Sequence, residues 1–231
     1  MKGFIIYEGK SLLDGAPVVA IATMKTTNDK TGNMIQTWIM RSDIAPHEAS
    51  KKGLDVSVCG SCPLRQAIGG ACYVTLHQAP LAVYKAYKKG LYNKAVDVTR
   101  LKGRKLRMGS YGDPAAIPFE AWEAVAQYTN GNTGYTHQLN HKAFDKRLLD
   151  LVMVSADTPK QAAKYQASGI KTFRVKVESM PLLKGEVECL SDTQGISCIE
   201  CKLCNGQNKS VAINVHGRGT KAHTLKYGKG L

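Results

Sequence analysis

Apolar and polar residues alternate with a period of two in several short stretches, the pattern of a strand with one face buried. Residues 170–177 alternate in this way; residues 18–23 and 35–40 also look like strands, and between them Asn28-Asp29-Lys30-Thr31-Gly32-Asn33 is rich in turn formers. A β-hairpin within an N-terminal segment, residues 1–53, is the expectation. Further strands are expected at residues 54–58, 105–109, 133–139, 149–155, 170–177 and 211–215. Helical spacing alternates with them. Leu81, Val83, Tyr84, Tyr87 and Leu91 share one face of a helix over residues 81–92. Residues 119–128 follow Pro118, which suits an early helical position, and a third helix opens at Thr158-Pro159 and closes at Gly169.

Strand followed by helix, repeated, implies a parallel sheet with crossover helices. The expected fold is α/β: a partial TIM-like (β/α) barrel over residues 54–180, after the hairpin and before a cysteine-rich metal-binding extension with a basic tail, 181–231. In such folds the chemistry gathers at the carboxyl ends of the strands. There the sequence places the first cysteines, Gly109-Ser110-Tyr111-Gly112-Asp113-Pro114, Tyr135-Thr136-His137 and Ser155-Ala156-Asp157. Asp113, Asp157 and His137 are the candidate catalytic groups.

The seven cysteines fall into two groups. The first is Cys59-x2-Cys62-x9-Cys72. The second is Cys189-x8-Cys198-x2-Cys201-x2-Cys204. Thiolates two residues apart on a tight turn grip one metal centre, and the second group could close a site by itself. Its Cys-x2-Cys-x2-Cys run resembles a ferredoxin ligand pattern more than the paired knuckles of a zinc ribbon. Zinc remains the alternative, with His77 or His216 as a further ligand.

The chain of 231 residues is 43% hydrophobic and 22% charged, ordinary for a globular protein. The apolar start is cut off by Glu8 and Lys10, so no signal peptide is read, and the apolar run at residues 16–23 is too short to span a bilayer. A cytoplasmic protein without membrane contact is expected, in a reducing setting where grouped cysteines bind metal rather than form disulfides. The formal net charge of +14 is clustered. Lys85, Lys88, Lys89, Lys94, Arg100, Lys102, Arg104, Lys105 and Arg107 face Asp97 alone, and Lys209, Arg218, Lys221, Lys226 and Lys229 follow Cys204 without an acid. Such clustering points to nucleic acid or a nucleotide as partner.

Taken together, residues 54–204 resemble the radical S-adenosylmethionine enzymes. In that family the first barrel strand leads into a loop of three cysteines holding a 4Fe-4S cluster, and the second ends in a Gly-Gly-Glu-Pro-like motif that receives the cofactor. The resemblance implies that Cys59, Cys62 and Cys72 hold such a cluster. It also implies that Gly109, Ser110, Gly112, Asp113 and Ser155 contact S-adenosylmethionine, and that Cys189, Cys198, Cys201 and Cys204 hold an auxiliary cluster. An electron donor is implied as well, and one-electron reduction would generate a radical that takes hydrogen from substrate. The cysteine spacing here departs from the family's Cys-x3-Cys-x2-Cys, and Asp113 stands where glutamate is usual. The whole chain is also similar to a group of small bacteriophage proteins without an assigned activity, which places it in the host cytoplasm. They share the Cys-x2-Cys-Pro-Leu-Arg…Cys-Tyr, Gly-Ser-Tyr-Gly-Asp-Pro and late Cys-x2-Cys-x2-Cys segments. Two other readings stand beside the first: a zinc-containing transglycosylase-like enzyme with Asp113 or Asp157 as nucleophile, and a non-catalytic zinc protein that binds nucleic acid.

Overall fold

A computed structural model describes residues 3–94, 98–217 and 219–228. Nine strands form one sheet: β1 Gly3–Lys10, β2 Pro17–Thr23, β3 Ile35–Arg41, β4 Leu106–Tyr111, β5 Asn132–Thr136, β6 Met153–Ala156, β7 Thr172–Lys176, β8 Glu186–Glu188 and β9 Ser210–Asn214. Eight helices accompany them: α1 Pro46–Lys51, α2 Val56–Cys59, α3 Ala79–Lys88, α4 Phe119–Ala126, α5 Pro159–Ala167, α6 Leu190–Thr193, α7 Cys198–Cys201 and α8 Thr220–Tyr227. The sheet order is β1-β2-β3-β4-β5-β6-β7-β9-β8. β1, β2 and β3 pair antiparallel; from β3 onward every neighbour is parallel.

The mixed α/β class and the strand-helix alternation follow the sequence reading, but the first parallel strand does not. Residues 54–58 were expected as that strand; they enter α2 instead. The polar members of the alternation, Asp55 and Ser57, are buried, while Leu54 and Val56 are exposed. The Ser57 hydroxyl donates to Asp14 Oδ2 at 2.7 Å and accepts from Arg41 Nη1 at 3.1 Å, and its carbonyl accepts from Ser11 Oγ at 2.6 Å. The place of first parallel strand falls to β3, which pairs β4 with Gln36 opposite Arg107. The parallel run therefore reaches back into the N-terminal segment. Residues 149–155 also differ: residues 146–150 form a 3-10 turn capped by the Asp145 side chain, which accepts from Arg147 N, and the strand begins at Met153.

β2 is buried along residues 18–22, so it reads as a continuous apolar run rather than an alternation. The core continues through Leu106 and Met108 to Trp122 and Val125 of α4. Trp122 is fully buried, and its indole N–H donates to Pro114 O at 2.9 Å. α5 begins where the sequence placed it: Thr158 Oγ1 accepts from Gln161 N at 3.1 Å with Pro159 behind it. Six elements were not expected from the sequence: β1, β8, α1, α6, α7 and α8. Among the described residues no helix is long and apolar enough to cross a membrane.

Candidate metal centres and the cavity between them

The first cysteine group lies between β3 and β4 in the chain, at the carboxyl ends of the parallel strands. Cys59 ends α2, and Gly60 turns the chain away at φ +52°, packed on the Gln138 amide with no room for a Cβ. Cys62 N donates to Cys59 O at 3.1 Å, and Cys72 N donates to Leu64 O at 2.7 Å. That second bond folds the nine intervening residues back on themselves, so the long spacing still returns Cys72 to its partners. Burial pushes the Cys59 thiol well above its ordinary range, and the neighbouring Cys62 and Cys72 push it further. Burial likewise raises Cys72 to about 11, with Cys62 adding to it. Buried thiols that repel one another as thiolates are the electrostatic setting that a cation relieves.

The second group lies against β5, β9 and the loop before β3. Cys204 O accepts from Gly134 N at 3.3 Å, Cys189 N donates to Ala212 O at 2.9 Å, and Cys198 N donates to Lys30 O at 2.7 Å. The Cys198–Cys201 turn is capped by Ser197 and Glu200, each bonding to the other's end. It closes on Lys202, the sole non-glycine residue at positive φ (60°) among the described residues. Burial raises Cys204 to about 12 and also raises Cys198, each then raised further by Cys189 among its neighbours.

All seven cysteines are free thiols. Among the described residues no three His, Cys, Asp or Glu side chains converge closely enough to ligate one metal ion. A single zinc, tetrahedral at about 2.3 Å to each sulfur, would require sulfurs about 3.8 Å apart. A cubane cluster bonds each thiolate to a different iron and spreads them wider. His216, offered by the sequence as a zinc ligand, sits past the far end of β9 from Cys204, with its ring 5.7 Å from that of Tyr73.

Between the two groups lies a cavity of about 670 Å³, within the range of small-molecule sites. Side chains from β2 (Thr23), β3 (Gln36, Trp38), β4 (Arg107, Ser110), β5 (Tyr135), β6 (Ser155), β7 (Phe173, Val175) and β9 (Ile213) line it, with Cys189 and Cys198 at its border. Ser110 and Ser155 thus face the cavity as expected; Ser110 Oγ donates to Gln36 Oε1 at 2.6 Å.

His137 and Asp157 also border the cavity and meet each other, with His137 Nε2 3.2 Å from Asp157 Oδ1. The same nitrogen lies 3.9 Å from Cys62 Sγ. A Cys-His-Asp relay would need the two partners on different ring nitrogens, so this is not one. Burial works against the charged imidazole, but the Cys62 sulfur and Asp157 outweigh it and hold His137 well above its ordinary value.

Asp113 is placed differently from the expectation. It is buried and does not line the cavity. Its Oδ1 accepts from Ala115 N at 3.0 Å and Thr136 Oγ1 at 2.7 Å, and its Oδ2 accepts from His137 N at 2.8 Å and Gln138 Nε2 at 3.4 Å. Burial raises its pKa against the pull of these donors. The carboxylate organises the carboxyl ends of β4 and β5 and has no free lone pair for a cofactor. Gly112 is also structural: φ is +83°, and a Cβ would come 2.7 Å from Ile39 O. Gly112→Ala is expected to cost about 1–3 kcal/mol for the backbone strain alone, read as a lower urea midpoint; an unchanged midpoint would show that β3 can give way. Gly109, at φ +67°, belongs to the same turn.

Gln138 is the residue that sequence reasoning missed. Its amide N–H donates to Cys59 O at 3.0 Å while its oxygen accepts from Ser61 N and Oγ, both at 3.2 Å. It ties the first cysteine loop to β5, and a lone glutamine after a histidine gives no sequence signal of that.

The basic run does not form one surface. Lys85, Lys88 and Lys89 are exposed at the end of α3, but Lys94 pairs with Glu8 at 2.9 Å. Arg104 donates to the carbonyls of Met24 and Asn33, Lys105 donates to Ile199 O, and Arg107 is inside the cavity wall. Asp97, Arg218 and Lys229 lie outside the described residues.

No family model, no curated protein and no solved structure matches this chain.

Proposed function

We propose that the protein is a radical S-adenosylmethionine-type iron–sulfur enzyme of phage origin, acting on a nucleotide or nucleic acid. The observation that carries the reading is positional. The loop of Cys59, Cys62 and Cys72 follows the first strand of a parallel run and opens at the carboxyl ends beside a cavity lined from seven strands. The sheet is read as a partial barrel curled around that cavity, with β3 and β9 supplying the strands that residues 54–180 alone lack.

Cys59, Cys62 and Cys72 would hold the catalytic cluster, and Cys189, Cys198, Cys201 and Cys204 a second one. When bound, the cluster and S-adenosylmethionine supply the one-electron chemistry. The chain's own residues do the rest. Ser110 and Ser155 offer hydroxyls to a bound cofactor, and Asp157 is the carboxylate free to accept from an amino group there. His137, 3.2 Å from Asp157 Oδ1, holds that carboxylate in place. Asp113 and Gln138 act on the cofactor only by fixing the loop. The aromatic and aliphatic wall of Trp38, Phe173, Val175 and Ile213 excludes water from the reacting centre.

Strictly anaerobic purification followed by iron, sulfide and zinc analysis tests this. About eight irons with matching sulfide, as two cubane clusters require, and reductant-dependent cleavage of S-adenosylmethionine are expected. One or two zincs in a colourless protein would overturn the reading and favour base exchange or nucleic-acid binding without turnover.

A further inference from the structure

The cavity wall contains a buried cation that the iron–sulfur reading does not use. Arg107 is only 7% exposed yet borders the cavity. Its Nη2 donates to the Tyr73 hydroxyl at 3.3 Å, and its guanidinium carbon stands 4.6 Å from the Tyr135 ring centroid. Among the described residues no carboxylate pairs with it; around it stand two phenols and the thiols of Cys198 and Cys204. A guanidinium never gives up its proton in a protein, and a buried charge is costly unless anions stand beside it.

The remaining wall adds positive charge rather than cancelling it. Lys25 and Lys30 border the cavity, and Asp157 is the one acid that does so among the described residues, already bonded to His137. Lys30 is 3.9 Å from Asp192 at the rim. Four aromatic side chains face the same space: Trp38, Tyr73, Tyr135 and Phe173. Tyr135 and Phe173 pack together at 4.0 Å between centroids. The indole N–H of Trp38 is taken by Thr23 Oγ1 at 3.0 Å, leaving its ring as a surface for contact.

We propose that Arg107 is a substrate anchor: it receives the phosphate of a mononucleotide whose base lies among these aromatic side chains. The planar fork of arginine matches a phosphate edge with two parallel hydrogen bonds, and aromatic walls accept a base through its π-face. Tyr73 positions the guanidinium from outside the phosphate. The proposal deepens the reading of this cavity as the substrate chamber and rests on it for that assignment.

The test is equilibrium binding to the full-length, anaerobically purified protein without reductant. The probes are the four deoxynucleoside 5′-monophosphates and the four ribonucleoside 5′-monophosphates, each against its own nucleoside and against inorganic phosphate. At least one monophosphate should bind about tenfold or more tightly than its nucleoside, the contribution of a charge-assisted hydrogen bond. Arg107→Met should erase that ratio and Arg107→Lys restore part of it. Tyr73→Phe, at a side chain 57% exposed on the cavity rim, should lower the ratio with unchanged thermal stability. Equal binding of nucleotide and nucleoside by the wild-type protein overturns the proposal. So does a ratio that survives Arg107→Met, or inorganic phosphate binding as tightly as the nucleotide. If Arg107→Met fails to fold, the Tyr73→Phe ratio decides alone. Iron content is read on the same samples. A chain that carries no cluster but keeps the Arg107-dependent ratio loses the radical reading alone, and one that keeps its iron but shows no ratio loses the anchor alone.

Discussion

Cys62→Ala is expected to remove about four of about eight irons, the complement of one cubane, and to abolish reductive cleavage of S-adenosylmethionine. The second centre should keep its iron. Cys62 is the informative choice among the first three cysteines. Cys59 ends a helix and packs against the hydrophobic core, so its replacement would mix loss of a ligand with loss of packing. Cys62 sits in the loop with its sulfur near His137 and carries no such burden. Two remaining thiolates cannot hold the cluster that three do. Cys201→Ala should give the converse, lowering the second centre's iron. Unchanged iron in Cys62→Ala would sink the assignment of the first centre.

Glu186→Ala should be the most destabilising of the simple side-chain truncations, at about 3–5 kcal/mol. Glu186 and Arg174 form an ion pair with side chains 0% and 1% exposed. Arg174 Nε donates to Oε1 at 2.9 Å and Nη2 to Oε2 at 2.6 Å, and the same Oε2 accepts from Leu183 N at 2.9 Å. Arg174 stands on β7 and Glu186 on β8, with β9 between them. The pair reaches across β9 above Ser210 and Ala212, side chains small enough to leave the space. Removing the carboxylate strands a buried guanidinium, whereas replacing both partners by apolar residues removes the problem. The loss approaches the total stability of an ordinary domain, about 5–15 kcal/mol. Urea unfolding of Glu186→Ala beside Arg174→Met/Glu186→Leu measures it; equal stability of the single and double variants would show that Arg174 finds water instead.

Legibility in the sequence followed local physics. β7 was readable because its residues alternate at the strand period, and β2, β3 and β9 because they are short apolar runs bounded by turn formers. α5 was readable because Thr158 and Pro159 mark its start. α2 was misread because the L-D-V-S-V alternation of residues 54–58 is satisfied inside out: tertiary hydrogen bonds to Ser57 and the Asp55–Arg65 ion pair at 3.0 Å bury the polar members. β1 escaped notice because a bulge between Ile5 and Tyr7 breaks its alternation, and β8 because three residues carry no period. At the site, residue type marked Ser110, Ser155, His137 and Asp157, which the structure sets along one cavity. It failed for Asp113, since nothing local tells a carboxylate that faces a cavity from one that caps a turn. It failed for Arg107 too, which reads as one more member of a surface run.

The placement of β9 has a consequence for how the chain is made. β9 is inserted between β7 and β8, both of which leave the ribosome before it. Until it docks, β7 shows a bare edge and β8 has no partner. The segment that must fold back to bring it in, residues 189–209, carries all four thiols of the second group. Gathering those thiols and completing the sheet are thus one event. If those thiols hold a metal, a cell short of it would accumulate an unfinished sheet whose open edge pairs readily with other chains, and metal supply would govern how much soluble protein there is.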